Sequence, residues 1–465
     1  MTGHSTSSLR GRRALVVGLG KSGVAAARLL AREGAQVALA DGKSEAELAS
    51  QLLALKAFAP ALFLGGIRAE AFVDRDLVVV SPGVPLALPS LHEAKQRGVE
   101  VIGEVELASR FITEPIVGIT GTNGKSTTTA LTAHLLATAG KRIFAGGNLG
   151  TPLSQRVLDG GELDVSVCEL SSFQLESIAS LRCQAAAVLN VTPDHLDRYT
   201  SIESYAAAKA RIFEGQRDGD LAALNLADAH VRAMPTRAGV ERTYFDPRVS
   251  SSGKTDGAAS ADAPIALRTA ARTLSVRGAS YELRARTLRG AHNAENALAA
   301  LLLAHRFGAD RDSLQRGLDS YPGLPHRLEP VLEADGIEWL NDSKATNVDS
   351  VEKSLSAFEA DGAKVIIILG GRGKGAPYAP LRPLFANRVK ALLTIGEDAP
   401  RIGEELGDLA PLHLCGDLRG AVAKARTLAR RGDTVLLSPA CASYDQFKNF
   451  EERGAQFKQL VRGES

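Results

Sequence analysis

The chain has 465 residues, of which 45% are hydrophobic and 23% are charged, and its formal net charge is +2. This length suggests about three domains of ordinary size, and the composition excludes a wholly disordered, collagen-like or coiled-coil protein. A net charge so close to zero gives no electrostatic reason to expect a nucleic acid or a membrane surface as partner.

The cysteines indicate a reducing compartment. Cys168, Cys183, Cys415 and Cys441 show neither a CxxC motif nor the spacing of a disulfide framework, which also argues against a structural zinc site. No apolar run approaches the ~20 residues that span a bilayer. Lys21 interrupts the short apolar stretch near the N-terminus, which does not fit a signal peptide. We therefore expect a cytoplasmic protein without membrane insertion.

The first predicted unit is a βαβ arrangement with a glycine-rich turn. A continuous apolar run over 14–17 predicts a strand buried on both faces, and the motif G-x-G-x-x-G follows over 18–23. A helix, a second strand ending at Asp41 and a further strand ending at Ser81 come next. Such glycines permit a tight turn at a helix N-terminus that attracts a phosphate. The motif alone leaves open whether the ligand is a dinucleotide such as NAD or another nucleotide.

The second unit contains a stronger phosphate-binding signal. A predicted strand over 116–119 leads into the loop 120–127, of sequence G-x-x-G-K-S-T, and then into a helix over 128–139. The loop is shorter than a Walker A motif, but its backbone N–H groups can still cradle phosphates. Lys125 can neutralise the outer phosphates, and the Ser126 hydroxyl can bind Mg²⁺.

Other polar residues carry weaker local signals. Glu169 ends a predicted strand, where a carboxylate can bind a metal, and His195 beside an aspartate could bind a divalent cation. Lys209 lies in a helical run, and its local pattern is typical of a solvated lysine. Asn293 either caps the helix that follows it or, with Asn296, offers amides to one nucleotide.

The last third of the sequence predicts another α/β unit. The Ser/Gly-rich stretch 249–264 precedes it and predicts a flexible surface insertion. Beyond residue 323, predicted strands over 337–340, 365–369 and 434–437 each end in a polar loop of small residues. Because parallel strands end at the same edge of a sheet, these loops predict one binding face.

Strands and helices alternate throughout, which predicts an α/β protein with mainly parallel sheets. We place its three domains at 1–102, 103–323 and 324–465.

Taken together, these motifs resemble the Mur ligase family. The resemblance runs in the family's order from Gly18 to Phe450 and rests on the segments 121–127, 147–150, 169–174, 194–195, 209, 292–293, 341–347 and 438–443. It implies a Rossmann-like N-terminal domain for a UDP-linked substrate, a P-loop-type central ATPase domain and a Rossmann-like C-terminal domain for glutamate.

The resemblance also implies an activity. The expected reaction joins D-glutamate to UDP-N-acetylmuramoyl-L-alanine in peptidoglycan precursor synthesis, at the expense of ATP. The substrate carboxylate is phosphorylated to an acyl phosphate, which the glutamate amine attacks. The implied cofactor is Mg²⁺ at two sites, and the partners are these small molecules alone. We expect a monomer.

Site residues follow from the resemblance position by position. The residues implied for ATP are Gly121, Thr122, Asn123, Gly124, Lys125, Ser126, Thr127, Asn293, Asn296, Arg327 and Asp342. The residues implied for Mg²⁺ are Ser126, Glu169, His195 and Lys209, the last as a carbamate formed with CO₂. The residues implied for the UDP-linked substrate are Gly20, Lys21, Ser22, Asp41, Ser81, Asn148, Ser171 and Gln174. The residues implied for glutamate are Lys344, Thr346, Lys374, Ser443 and Phe450. The residues implied for catalysis are Lys125, Asn148, His195 and Lys209.

Three alternative functions remain at this stage. An NAD-dependent oxidoreductase would explain the glycines of 18–23 but leaves the loop 121–127 unexplained. A nucleotide-gated binding protein would hydrolyse ATP independently of any amino acid. A folylpolyglutamate synthase shares the phosphate loop, but the uridine-binding first domain argues against it.

Overall fold

The computed structural model describes residues 8–148, 150–194, 198–249, 265–358 and 364–464. The chain forms two compact units. One contains the residues up to Glu282 together with Glu295–Leu318, and the other contains Leu283–Ala294 and the residues from Asp319 onward. Of the expected insertion at 249–264, all but Val249 lies outside the described residues.

The first sheet is parallel and contains β1 (Arg13–Val17), β2 (Gln36–Ala40), β3 (Ala61–Phe63), β4 (Leu77–Val80) and β5 (Glu100–Gly103). Their order across the sheet is β3-β2-β1-β4-β5. Both faces of β1 are buried, with Leu15 in one apolar core and Val16 in the other, as its apolar run predicts. The helices are α1 (Lys21–Arg32), α2 (Ala49–Leu55), α3 (Pro89–Gln96) and α4 (Glu104–Ser109).

The second sheet contains β6 (Ile116–Thr120), β7 (Ile143–Gly147), β8 (Val165–Glu169), β9 (Ala185–Val188), β10 (Leu221–Asn225), β11 (Glu241–Val249), β12 (Ala266–Arg268), β13 (Thr273–Val276) and β14 (Ala279–Glu282). Their order is β14-β13-β12-β11-β10-β9-β6-β8-β7, and only the β12-β13 and β13-β14 pairings between these strands are antiparallel. Its helices are α5 (Lys125–Thr138), α6 (Leu153–Asp159), α7 (Ser172–Leu175), α8 (Ile202–Ala210) and α9 (Ala229–Arg232).

The third sheet contains β15 (Glu329–Ala334), β16 (Ile337–Asn341), β17 (Val365–Gly370), β18 (Val389–Ile395), β19 (Leu412–Gly416) and β20 (Thr434–Leu437), in the order β15-β16-β20-β17-β18-β19. Strand β15 is antiparallel to β16, and the other pairings are parallel. The remaining helices are α10 (Ala291–Arg306), α11 (Arg311–Ser320), α12 (Val348–Leu355), α13 (Arg382–Arg388), α14 (Ala399–Leu406), α15 (Leu418–Leu428) and α16 (Phe450–Arg462).

These sheets confirm the expected α/β class and the predominance of parallel strands. Helix α5 begins at Lys125, three residues earlier than expected, because Gly124 adopts a left-handed conformation with φ 83° and turns the loop directly into the helix. The domain boundaries at 102/103 and 323/324 stay a prediction.

Two buried glutamates on α4 have opposite electrostatic environments. Burial raises the pKa of Glu104 to about 7. Its Oε1 accepts a hydrogen bond from Ser154 N at 2.5 Å, while its Oε2 is buried without a hydrogen-bond partner among the described residues. Burial also acts on Glu106, but donors from Ala179, Ser180 and other groups outweigh it and lower the pKa of that carboxyl. The number of donors therefore decides the charge state of each.

We expect the stability of the folded protein to depend on pH through Glu104. Because the folded-state pKa lies above the unfolded value of about 4.5, the contribution of Glu104 is fully present below pH 4.5 and is lost as pH rises through 7. The loss amounts to about 3 kcal/mol. Glu104→Gln keeps the acceptor for Ser154 N and should flatten the dependence, as measured by urea unfolding at pH 5 and pH 8.

Glu106→Gln is the matched control. It removes a carboxylate whose pKa is lowered from 4.5, so its contribution to stability is present at both pH 5 and pH 8 and is lost only at lower pH; this variant should be destabilised about equally at the two pH values. Equal pH dependence in the wild type and in Glu104→Gln would contradict the assignment.

Candidate active site

The glycine turn of the first sheet is tightly built. The Cβ of any larger residue at Gly23 would lie 1.8 Å from the carbonyl oxygen of Gly18, so that position requires glycine. The Ser81 hydroxyl donates to Gly18 O at 2.7 Å, and Asp41 Oδ2 accepts from Leu19 N at 2.6 Å. The two predicted nucleotide-binding side chains thus shape the turn itself. The other residues predicted for the UDP-linked substrate here, Gly20, Lys21 and Ser22, form the start of α1.

The predicted phosphate loop connects β6 to α5. Gly121 has φ 155°, and an added Cβ would meet Leu189 Cβ at 3.0 Å. An added Cβ at Gly124 would lie 2.2 Å from Oδ1 of Asn296, a residue with only 3% of its surface exposed. Only glycine fits at these two positions. Without side chains there, the backbone N–H groups of the loop can come close to a phosphate group. The loop and the first turn of α5 carry Thr122, Asn123, Ser126 and Thr127.

One residue that supports this loop has no motif to mark it. Asn190, just after β9, accepts from Asn123 N at 2.8 Å through Oδ1, and its Nδ2 donates to Glu295 at 2.9 Å. Its backbone carbonyl accepts from Thr122 N at 2.9 Å. Its position directly after a short apolar run is the only signal in the sequence that could have found it.

Two lysines meet at the same carbonyl group. Lys125 Nζ donates to Gly121 O at 2.8 Å, and Lys209 Nζ donates to the same oxygen at 2.9 Å. Lys209 is only 1% exposed, and its Nζ lies 4.2 Å from the centre of the Tyr205 ring. Burial, followed by the charge of Lys125, lowers the pKa of Lys209 to about 7. The local expectation of a solvated lysine at this position is therefore wrong.

Glu169 is one of the residues predicted to bind a metal. It lies next to Ile119 on the neighbouring strand, at the end of β6. Its Oε1 accepts from Asn148 Nδ2 at 2.7 Å, while its Oε2 is buried and has no hydrogen-bond partner in the described part of the chain. An orphaned carboxylate oxygen beside a phosphate loop that carries the Ser126 hydroxyl fits Mg²⁺, which takes one or two protein oxygens besides phosphate and water.

His195, the other expected metal ligand, lies outside the described residues. Within those residues, no group of three or more His, Cys, Asp or Glu side chains is arranged to hold a metal.

The two remaining residues predicted for the UDP-linked substrate cap a helix. Ser171 and Gln174 form a reciprocal capping box at the start of α7, with Ser171 N donating to Gln174 Oε1 at 2.9 Å and Gln174 N donating to Ser171 Oγ at 3.3 Å.

In the second unit, the predicted loops at the ends of β16, β17 and β20 meet. Lys374 Nζ contacts Thr346 Oγ1 at 3.5 Å, and Lys344 Nζ lies 5.4 Å from the centre of the Phe450 ring. Arg372 and Ala442 join the second and third loops through a β-bridge. The expected juxtaposition of these loops is confirmed, and Ser443, which is 3% exposed, lies in the third.

Arg453, which no sequence motif marks, contacts two of these loops. Arg453 on α16 has no exposed surface; its guanidinium donates to Ser343 Oγ at 3.0 Å, Ser343 O at 2.9 Å and Cys441 O at 3.2 Å.

The residues expected at ATP in this unit differ in their surroundings. Asp342 is buried and accepts from Ser354 Oγ at 2.5 Å and from Ser438 Oγ at 2.7 Å. Burial raises its pKa to about 6, against the smaller opposing effects of the hydrogen bonds from Ser354, Ser438 and Leu328 N and of the charge of Arg327. Asn293 donates to the Arg289 carbonyl at 2.9 Å. The roles of these side chains toward ATP stay a prediction.

Family models cover most of the chain. The model "Mur ligase MurD-like, N-terminal domain" matches residues 12–103, "Mur ligase middle domain" matches 119–304, and "Mur ligase, glutamate ligase domain" matches 326–441. The chain belongs to the Mur ligase family. This result confirms the family resemblance predicted from the sequence, and the matched middle domain includes the loop 121–127.

Curated relatives within the Mur ligases are similar over nearly their whole length. UDP-N-acetylmuramoylalanine--D-glutamate ligase of Anaeromyxobacter dehalogenans is 56% identical, over 97% of this chain and 98% of the relative. The enzyme of the same name from Myxococcus xanthus is 52% identical, over 98% and 99%.

Solved structures share the fold. MurF ligase from Thermotoga maritima in complex with ADP has a TM-score of 0.61 at 16% identity, covering 99% of this chain and 97% of that chain. UDP-N-acetylmuramate-alanine ligase MurC from the same organism has a TM-score of 0.58 at 18% identity, covering 98% and 100%. These likenesses support the three-domain Mur ligase architecture. None of the helices described is long and apolar enough to cross a membrane.

We expect Asn190→Ala to weaken ATP binding, because the phosphate loop loses its side-chain support. The loss of these hydrogen bonds should raise the Kd for Mg·ATP about tenfold, measured by isothermal titration calorimetry. Asn449→Ala is the control, since it removes the α16 cap that accepts from Glu452 N at 2.8 Å and costs stability without touching the loop. An unchanged Kd in Asn190→Ala would contradict the assigned role.

Proposed function

We propose that this Mur ligase joins D-glutamate to UDP-N-acetylmuramoyl-L-alanine in an ATP-dependent reaction of peptidoglycan precursor synthesis. The observation that carries the proposal is the near-full-length similarity to two curated enzymes of that name, at 56% and 52% identity. The NAD-dependent and binding-protein alternatives do not account for it. Such a reaction requires sites for two phosphate-bearing substrates and for an amino acid. The turn after β1 and the loop after β6 supply the first two, and the loops that carry Lys344 and Lys374 supply the third.

The first step transfers the γ-phosphoryl group of ATP to the free carboxylate of the UDP-linked substrate, giving an acyl phosphate and ADP. Loop 121–127 holds the nucleotide phosphates through its backbone N–H groups, and Lys125 places a positive charge where negative charge spreads over the transferring group. Asn148, whose amide donates to Glu169, is positioned to orient the reacting carboxylate. In the second step the glutamate amine attacks the acyl carbon, loses a proton and expels phosphate.

Ser126 and Glu169 would hold one Mg²⁺, and His195 with Lys209 would serve a second. When bound, Mg²⁺ supplies charge stabilisation to the phosphoryl oxygens and to the acceptor carboxylate. The Oε2 of Glu169, buried and without a hydrogen-bond partner among the residues described, supports this assignment.

Lys209 becomes a metal ligand as a carbamate. Its neutral amine attacks CO₂, a C–N bond forms and a proton is released, so a cation turns into a carboxylate-like anion. Two observations support this step. The amine is almost fully buried, and its pKa is lowered to about 7, so a large neutral fraction exists at physiological pH. The product also removes the repulsion between Lys209 and Lys125.

The loops that follow β16, β17 and β20 bind the incoming glutamate. Lys344 and Lys374 meet its carboxylates, while Thr346, Ser443 and Phe450 complete the site. Arg327, Asp342, Asn293 and Asn296 contribute to ATP binding. We also propose that the enzyme acts as a monomer in the cytoplasm on these small molecules, with neither nucleic acid nor membrane as partner.

Phosphate release should require both substrates. We expect release from ATP with UDP-N-acetylmuramoyl-L-alanine and D-glutamate together, and background release when either is omitted, measured by a coupled phosphate assay. L-glutamate and D-aspartate serve as matched controls. Release that continues undiminished without D-glutamate would sink the proposed reaction.

Lys209→Ala should lose activity by at least about a hundredfold, because a charged group at the reacting phosphates is lost. Short carboxylic acids such as acetate should restore part of the activity by filling the place of the carbamate. Lys353→Ala, which removes an exposed partner of Asp349, is the control for loss of a lysine. Full activity of Lys209→Ala would remove the carbamate from the mechanism.

A further inference from the structure

Arg198 contacts segments of the chain that are far apart in sequence. Its Nη1 donates to the carbonyl oxygen of Pro82 at 3.3 Å, and its Nη2 donates to Glu176 Oε2 at 2.7 Å. Its Cζ lies 3.9 Å from the centre of the Phe173 ring, so the guanidinium is stacked on that ring. No motif in the sequence marked this residue.

The contacts of Arg198 lie in two segments that are predicted to bind the same substrate. Pro82 follows Ser81 in the loop that ends β4 of the first sheet, whereas Phe173 lies on α7 between Ser171 and Gln174, beside the second sheet. Both segments are assigned above to the UDP-linked substrate. One guanidinium therefore contacts two segments of the chain that are both assigned to the same substrate.

We propose that Arg198 is a positioning residue for the UDP-linked substrate, holding the Ser81–Pro82 loop and helix α7 at the separation that the substrate spans. The inference rests on the proposed function and adds a residue to it. Arg198 itself is not placed in contact with the reacting atoms.

The surroundings make the guanidinium hard to replace. The Arg198 and Glu176 side chains are each only 20% exposed, so their ion pair is shielded from solvent more than a surface pair. The Tyr199 hydroxyl donates to the second oxygen of Glu176, and the Tyr199 ring stacks with Phe173 at 6.0 Å. The carboxylate and the ring thus fix the plane of the guanidinium from two sides.

The same aromatic contacts continue toward the phosphate loop. The ring centres of Tyr199 and Tyr205 are 5.0 Å apart, and Tyr205 in turn packs against Nζ of Lys209. The segment that begins at Arg198 is therefore anchored at its start by the substrate-side contacts and leads into α8, which carries Lys209.

Lysine is the informative replacement. Its ammonium can keep the ion pair with Glu176, but it has no plane to stack on Phe173 and no fork to reach Pro82 O at the same time. Arg198→Lys should therefore keep the melting temperature near that of the wild type while losing the positioning function. Arg198→Ala removes both.

The experiment measures the Kd of UDP-N-acetylmuramoyl-L-alanine and the Kd of Mg·ATP separately by calorimetry, with the melting temperature of each variant. In Arg198→Lys and Arg198→Ala we expect the Kd of the UDP-linked substrate to rise about tenfold, the loss expected for one charge-assisted hydrogen bond, with the Kd of Mg·ATP unchanged. Arg142→Ala, which breaks an exposed pair with Asp164 on the same unit, is the control and should match the wild type in both constants.

Two results would overturn the inference: a Kd for the UDP-linked substrate in Arg198→Lys equal to that of the wild type, or an equal rise of both constants. If Arg198→Ala does not fold, Arg198→Lys alone decides between these results. Failure of the wild type to bind the UDP-linked substrate would instead refute the proposed function, so the two failures are distinguishable.

Discussion

The electrostatics of the candidate active site depend on one backbone carbonyl group, which two lysines contact. Gly121 O accepts hydrogen bonds from both Lys125 and Lys209, which places two amines against one oxygen in a largely buried place. Two full positive charges there would repel each other with little solvent to screen them. The protein relieves the conflict by lowering the pKa of the more buried amine, and anions that approach the loop relieve it further. The proposed phosphate affinity of the loop and the proposed carbamylation of Lys209 would therefore have the same electrostatic origin.

The same balance between burial and donors recurs on α4. Glu104 and Glu106 are two residues apart and equally hidden from water, yet their pKa values shift in opposite directions. The difference lies in the number of donors each carboxylate meets, since Glu106 accepts from consecutive backbone N–H groups including those of Ala179 and Ser180. Burial alone thus does not tell which acidic groups of this protein carry charge.

The sequence predicts strands and turns correctly where they depend on neighbouring residues alone. Apolar runs such as 14–17 and 365–369 are strands, because parallel strands covered on both faces cannot alternate polar and apolar residues. Glycines that follow strands predict the tight turns before α1 and α5 for an equally local reason, since a side chain at Gly23 or Gly124 would collide with its neighbours. What could not be predicted was which distant segments meet: a lysine in an alanine-rich helix has the same pattern whether it faces water or, like Lys209, a buried carbonyl. The roles of Asn190 and Arg453 cannot be predicted from the sequence because their hydrogen-bond partners lie far away in the chain.

A net charge of +2 conceals how positive charge is distributed. Many arginines are bound to carboxylates at the surface, as Arg372 is to Glu397, and such pairs contribute little beyond solubility. The lysines at strand ends have different contacts. Lys125, after β6, contacts the carbonyl oxygens of Gly121 and Thr122, and Lys374, after β17, contacts the Thr346 hydroxyl. We propose that affinity for polyanionic substrates arises from a few such cations at the carboxyl ends of parallel strands, where the topology gathers them.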